Sequence, residues 1–241
     1  MTEAAHYIPG SAESGLLLIA DHASSRVPPD IDLGIDPALL REHIAVDVGV
    51  EPLAHDLAAR LDCPAIIASV SRLVIDLNRR PEEPHAIPIT SDGRSVPGNA
   101  VLDEAGRRER VERFWKPYHA LIDARIEELR PRMLLSLHSF TPRLSSRPEE
   151  ERLWQIGILY NEDDRAARLG IERLRRAGVT TGDNEPYSGK ILNTTMNLHG
   201  EARGLPYLGI EVRQDLIADA AGVARWAGLL APLIAEVRDA L

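Results

Sequence analysis

Four apolar segments of this 241-residue chain break off in side chains that bind ions or move protons. "LLLIADH" ends in Asp21 and His22. "SRLVIDLNRR" holds Arg72, Asp76, Asn78 and Arg79. "LLSLHS" ends in His138 and Ser139, and "GIEVRQD" carries Glu211 and Arg213. A neutral imidazole binds zinc through one ring nitrogen, and catalytic zinc centres use three protein ligands plus water. His22 and His138, each directly after an apolar run, supply two such ligands. Asp47, in "IAVDVG", is the candidate third: an acid among Ile44, Ala45, Val46 and Val48 is costly unless paired. A helix cap or an arginine partner is the other reading of Asp47.

Glu211 stands between Ile210 and Val212. Partial burial there raises a carboxyl pKa toward the range of a general base. The alternative is an ion pair with Arg213 or Arg79. A metal ion with a carboxylate base activates water for attack on a carbonyl. The guanidiniums of Arg72, Arg79 and Arg213 add an anion receptor. Arg79 can grip a carboxylate through two parallel hydrogen bonds. Arg72 either takes a second carboxylate, polarises the scissile carbonyl, or pairs with Asp76. His199, in the polar segment "MNLHGEARG", is placed to close over such a cleft. His43 and His55 read as solvent-facing helix residues, His119 as a helix-surface residue, and "SGK" at 188–190 has a weak look of a phosphate-binding turn.

These side chains need rigid mounts. "GLLLIA" (15–20), "PRMLLSLHSF" and "WQIGILYN" are apolar without alternation, as in strands covered on both faces. "PAIIASVSRLVIDLN" reads as strand, either continuous or as two short strands with a bend, with Arg72 to Arg79 delivered at its end, and "LPYLGIEVRQDL" as another strand followed by a helix. Helical spacing marks 37–61, broken or restarted at Pro52, and helices are read over 103–130, 162–178 with Gly178 at the C-terminal cap, and 219–240. Residues 81–100, with four prolines and no periodicity, form a long loop of the kind that carries function, and 181–206 read mostly as loop. Alternating strands and helices predict an α/β fold: three layers, a mixed and mostly parallel sheet flanked by helices. Ligands of such sheets bind beyond the carboxyl ends of the strands. No linker divides the chain, so residues 1–241 read as a single domain.

Composition narrows the partners. Hydrophobic residues make up 44% and the formal net charge is -9, so bulk charge recruits neither nucleic acid nor an anionic membrane. The first residues do not read as a signal peptide, and no apolar run reaches the roughly 20 residues of a membrane helix. Cys63 is the single cysteine, so any metal site uses His and carboxylate. The expected setting is cytoplasmic.

In this order, "DHAS", "AVDVG", "SRLVIDLNRRP", "LLSLHSFTP", "NEPYSG" and "GIEVRQDL" resemble the N-formylglutamate amidohydrolase family over about residues 15–235. The resemblance implies the hydrolase-like fold of zinc carboxypeptidases and aspartoacylase. It implies one divalent metal, zinc, held by His22, His138 and a carboxylate. It also implies an Asn78–Arg79 pair for the substrate carboxylate and Glu211 as base. The carboxypeptidase pattern wants a glutamate three residues after the first histidine, where this chain has Ser25, so Asp47 stands in as the third ligand. The implied activity is hydrolysis of an N-acyl acidic amino acid such as N-formylglutamate, a small-molecule partner. A carboxypeptidase-like peptidase and a non-catalytic carboxylate-binding homologue are the alternatives.

Overall fold

The computed structural model describes residues 3–241. In chain order its strands are β1 (Ala5–Ile8), β2 (Leu16–Ala20), β3 (Ala65–Ala68), the short pair β4 (Thr90–Ser91) and β5 (Arg94–Ser95), β6 (Met133–Phe140), the hairpin β7 (Arg143–Leu144) and β8 (Arg147–Glu151), β9 (Ile156–Leu159), β10 (Thr181–Asp183) and β11 (Tyr207–Arg213). Seven of them form one sheet in the order β1-β3-β2-β6-β11-β9-β10. The central strands β3, β2, β6 and β11 run parallel. β1 runs against β3, and β9 against β11. Every residue of β2, β3, β6 and β9 is buried, as a sheet covered on both faces requires. The fold is thus the mixed, mostly parallel α/β sheet flanked by helices that the sequence implied.

The helices are α1 (Val50–Leu61), α2 (Pro97–Ala100), α3 (Glu104–Arg110), α4 (Lys116–Leu129), α5 (Arg165–Arg176), α6 (Thr194–His199) and α7 (Ala220–Asp239). α1 buries Val50, Leu53, Ala54, Leu57 and Ala58, the spacing of one helical face. Pro52 sits in its first turn, where no backbone N–H is needed. Gly49 precedes it at φ 81°, and a Cβ there would meet the Ile217 carbonyl oxygen at 2.3 Å. Glycine therefore lets the chain turn directly after Asp47. α3 and α4 are joined by a π-helical turn, Val111–Trp115, which completes the helix read over 103–130. α7 is long and apolar enough to cross a membrane by length and composition, but half of that span is buried and it packs against α1 and α5 as a core helix.

The structure corrects or refines four local readings. The stretch 69–80 is not a strand: β3 ends at Ala68, and the chain folds into turns in which Val74 N donates to Ser71 O and Arg79 N to Asp76 O. Val70, Leu73, Val74, Ile75 and Leu77 are apolar because the loop is buried, not because it is extended. Asp47 lies in the turn before α1 rather than inside a helix. Residues 181–206 contain β10 and α6 as well as loop. The 188–190 turn is pinned internally: Gly189 N donates to Asn184 Oδ1, and a Cβ at Gly189 would strike the Tyr160 backbone at 2.5 Å. That glycine serves close packing.

Candidate active site

β2 ends at Ala20 and delivers Asp21 and His22 to the carboxyl edge of the sheet. Asp47 N donates to the His22 carbonyl at 2.9 Å, which ties the turn before α1 to the end of β2. His138 projects from β6. One ligand atom from each of His22, Asp47 and His138 falls within 4.8 Å of the other two, and all three residues are buried. Asp47 Oδ2 lies 2.9 Å from His138 Nδ1 and 3.5 Å from His22 Nδ1. The far side of each ring meets a second carboxylate. His22 Nε2 lies 2.7 Å from Asp76 Oδ1, and His138 Nε2 lies 3.2 Å from Asp21 Oδ2.

This donor set fits a divalent cation. Both Nδ1 atoms face Asp47 Oδ2, and His22 Nδ1 is buried with no hydrogen-bond partner among the described residues. Metal-ligating histidines donate their other ring N–H to a carboxylate, which fixes the tautomer. Asp76 and Asp21 stand where those carboxylates belong. Asp21 Oδ1 is itself held by the Tyr118 hydroxyl at 2.7 Å and the Thr195 hydroxyl at 3.0 Å. Arg72 donates to Asp47 Oδ1 at 3.1 Å and to Asp76 Oδ2 at 2.8 Å. Burial works against every charge here. The carboxyls of Asp47 and Asp76 are nevertheless held well below their usual range, because His22 and Arg72 face both and His138 faces Asp47 as well.

Glu211 adjoins the cluster. It pairs in register with His138 on neighbouring parallel strands, so the two side chains leave the sheet on the same face. Two residues earlier on each strand stand Ser136 and Gly209, and all four line one cavity of about 690 Å3. The small residues make room in its floor; a Cβ at Gly209 would meet the Leu159 carbonyl at 2.7 Å. Glu211 is buried and its Oε2 has no hydrogen-bond partner among the described residues. Burial pushes its carboxyl up to about 7, with Asp47 raising it further and His138 and Arg72 drawing it down. That is the range in which a carboxylate both takes up and gives back a proton.

The chain matches the N-formylglutamate amidohydrolase family over residues 14–218. It belongs to that family. Membership points to a hydrolase, and to amidohydrolase activity in particular. Among solved structures the chain is similar to the gene product Atu2144 of Agrobacterium tumefaciens, at 32% identity and a TM-score of 0.92 over 98% of this chain and 95% of that one. It is similar in fold to the N-formylglutamate amidohydrolase of Ralstonia eutropha JMP134, at 22% identity and a TM-score of 0.72 over 99% and 100% of the two chains. A bacteriophage poly-gamma-glutamate hydrolase shares the fold more distantly, at 9% identity and a TM-score of 0.52 over 99% and 91%. No curated protein matches the chain.

Of the residues singled out in the sequence of this family member, His22, Asp47, Arg72, Asn78, Arg79, His138 and Glu211 all line the cavity. His199 and Arg213 do not. His199 is on α6, buried, its Nε2 2.7 Å from His119 Nδ1 and its Nδ1 2.8 Å from Asp123 Oδ1. The polar letters around it misled: they cap and flank a short helix packed on α4 rather than a loop over the cleft. Arg213 closes β11 and turns to Asp215, with its Nε 2.8 Å from Asp215 Oδ1. His119 is likewise not a surface residue. It is buried, and its Nε2 lies 2.9 Å from the Leu77 carbonyl oxygen. The Trp115 indole N–H donates to the Arg79 carbonyl at 2.8 Å, so the backbone is gripped on both sides of Asn78.

Other site residues escaped sequence reasoning. His43 lines the cavity instead of facing solvent, and pairs with Asp92 at 2.9 Å. Asp92, at the β4–β5 turn with φ 42°, also accepts from Ser145 N at 2.7 Å and Ser146 N at 2.9 Å, latching the β7–β8 hairpin beside the cavity. Burial opposes the Asp92 charge, but the Ser146 hydroxyl first, then the two backbone N–H groups and His43, hold its carboxyl down to about 2. Arg152 and Tyr187 also line the cavity. Tyr187 sits in the quoted "NEPYSG", which was the available signal; Arg152 had none.

Proposed function

We propose that the chain is a metal-dependent amidohydrolase that cleaves the amide bond of an N-acyl acidic amino acid, N-formylglutamate or a close analogue, to formate and glutamate. One observation carries this reading. Three ligand atoms converge in one buried cluster, beside a buried carboxylate with a free oxygen, at the floor of a cavity lined by guanidiniums. His22, Asp47 and His138 would hold the ion. When bound, it would supply Lewis-acid polarisation of the acyl carbonyl and acidify water.

The remaining work falls to the chain. Glu211 accepts a proton from the attacking water as the water oxygen bonds to the acyl carbon. It then returns that proton to the departing nitrogen as the carbon–nitrogen bond breaks, leaving an acid and a free amine. Asp76 and Asp21 hold the two imidazoles in register. Arg72, engaged by Asp47 and Asp76, fixes those carboxylates instead of reaching for substrate. Asn78 and Arg79 face the cavity and take the substrate carboxylate. Asn78 Oδ1 already accepts from Thr195 N at 2.9 Å, so its amide nitrogen is the group left to donate to the substrate.

The test is a metal assay followed by turnover. Zinc-supplemented protein should carry about one ion per chain, lose activity on chelation and regain it on zinc return. A panel of N-formyl and N-acetyl amino acids, set against short peptides, should show preference for the acyl derivatives of glutamate and aspartate. Protein that takes up no metal, or that cleaves only peptides, refutes the reading.

A further inference from the structure

Four arginines line the cavity, and three of them face a carboxylate. Arg72 is engaged by Asp47 and Asp76, Arg79 donates to Glu83, and Arg147 donates to Glu150. Arg152 differs: among the described residues it forms no ion pair. Its Nη1 donates to the Tyr187 hydroxyl at 2.9 Å and to the Thr141 carbonyl at 3.2 Å, and its guanidinium carbon lies 4.7 Å from the centre of the Tyr187 ring. Neither its Nε nor its Nη2 has a partner among the described residues. A guanidinium held by neutral acceptors over an aromatic face keeps its charge and a rigid fork of donors available to an anion.

The mount is firm. Arg152 directly follows β8; its N–H donates to the Pro142 carbonyl at 3.0 Å, and its carbonyl accepts from Arg213 Nη1 at 3.4 Å. Tyr187 lines the same cavity as Glu211 and Arg72. Burial raises the Tyr187 phenol, and the charges of Arg152, Glu211 and Arg72 all act on it. The cavity thus has two cationic stations: Asn78 with Arg79 on one loop, and Arg152 with Tyr187 on the segments that follow β8 and β10.

We infer that Arg152, oriented by Tyr187, is the specificity-determining cation of the cavity and takes the second carboxylate of a dicarboxylic substrate. This rests on the proposed function for the bond that is broken, but not for the binding. Charge-assisted, paired hydrogen bonds to a half-buried guanidinium separate a dicarboxylate from its monocarboxylate analogue. Arg213 acts here only through its hold on the Arg152 backbone.

Titration calorimetry on the zinc-loaded protein reads this without turnover, with glutarate and butyrate as probes. Wild type should bind glutarate at least about tenfold more tightly than butyrate, the scale of one well-made charged contact. Arg152→Gln should bring that ratio to within roughly twofold. Arg152→Lys, which keeps the charge without the fork, and Tyr187→Phe should each lose part of it. Thermal melting of each variant reports folding. An unchanged ratio in folded Arg152→Gln overturns the inference. So does a wild type that prefers neither acid, or a ratio unchanged in both Arg152→Lys and Tyr187→Phe should the Gln variant not fold. Protein that shows the preference, loses it in Arg152→Gln, and yet hydrolyses no N-acyl amino acid upholds this site while removing the proposed reaction.

Discussion

His138 and Glu211 are register partners on β6 and β11, two parallel strands at the centre of the sheet. Adjacent strands are held about 4.8 Å apart by their hydrogen bonds, so the spacing of the proposed ligand and the proposed base is set by backbone geometry rather than by flexible side chains. Replacing Glu211 with Gln keeps its volume and removes its basicity. Turnover should fall by about a hundred- to ten-thousand-fold while bound metal is unchanged. The base works only when ionised, so wild-type kcat/KM should decline as pH drops through or below about 7, since a bound cation draws the carboxyl further down. Steady-state rates across pH, with metal analysis alongside, check both; full turnover in the variant would end Glu211's role.

Asp76 and Asp21 contact the ring nitrogens of His22 and His138 that point away from Asp47, in the proposed metal site. Asp76→Asn and Asp21→Asn should each weaken metal binding by roughly 10- to 100-fold although all three ligands remain. Competition against a chelator of known affinity measures this. Unchanged affinity in both variants would show that the carboxylates do not orient the rings.

Trp115→Phe removes one hydrogen bond to the Arg79 carbonyl and retains a ring beside His119. The loss of about 1 kcal/mol falls on the loop that carries Asn78 and Arg79. KM should therefore rise several-fold with kcat largely kept. A fall in kcat alone would contradict a positioning role.

The Asp92 latch sets a pH window. Its carboxyl is depressed to about 2 in the fold, against about 3.9 when unfolded. Its contribution to stability is therefore complete above pH ~4 and is lost as pH falls toward about 2. The stability difference between wild type and Asp92→Asn should be constant above that window and close within it, as followed by urea unfolding. At neutral pH the variant's β7–β8 hairpin, with exposed Arg143 and Arg147, should be nicked faster by trypsin. Equal nicking rates would show that Asp92 does not hold the hairpin.

Local pattern carried the elements, because strand and helix periods are properties of neighbouring residues. The runs at 15–20 and 133–140, the face of α1 and the helix after 219 could be read directly, and so could the identity of His22, Asp47, His138 and Glu211 as unusual polar residues in apolar company. The same logic failed at 69–80, where an apolar run folds as a buried loop: hydrophobic spacing reports burial, and only tertiary packing decides whether a buried segment is extended. It failed at His199 and Arg213 because letters do not show which way a side chain turns. Tertiary structure alone paired Asp76 with His22 and Asp21 with His138, engaged Arg72 with two carboxylates, and left Arg152 facing the cavity without an acid. Those contacts join residues far apart in the chain, 54 positions for His22 and Asp76 and 97 for Asp21 and Tyr118. No local rule encodes them; they exist only once the sheet order has been set by the packing of the whole chain.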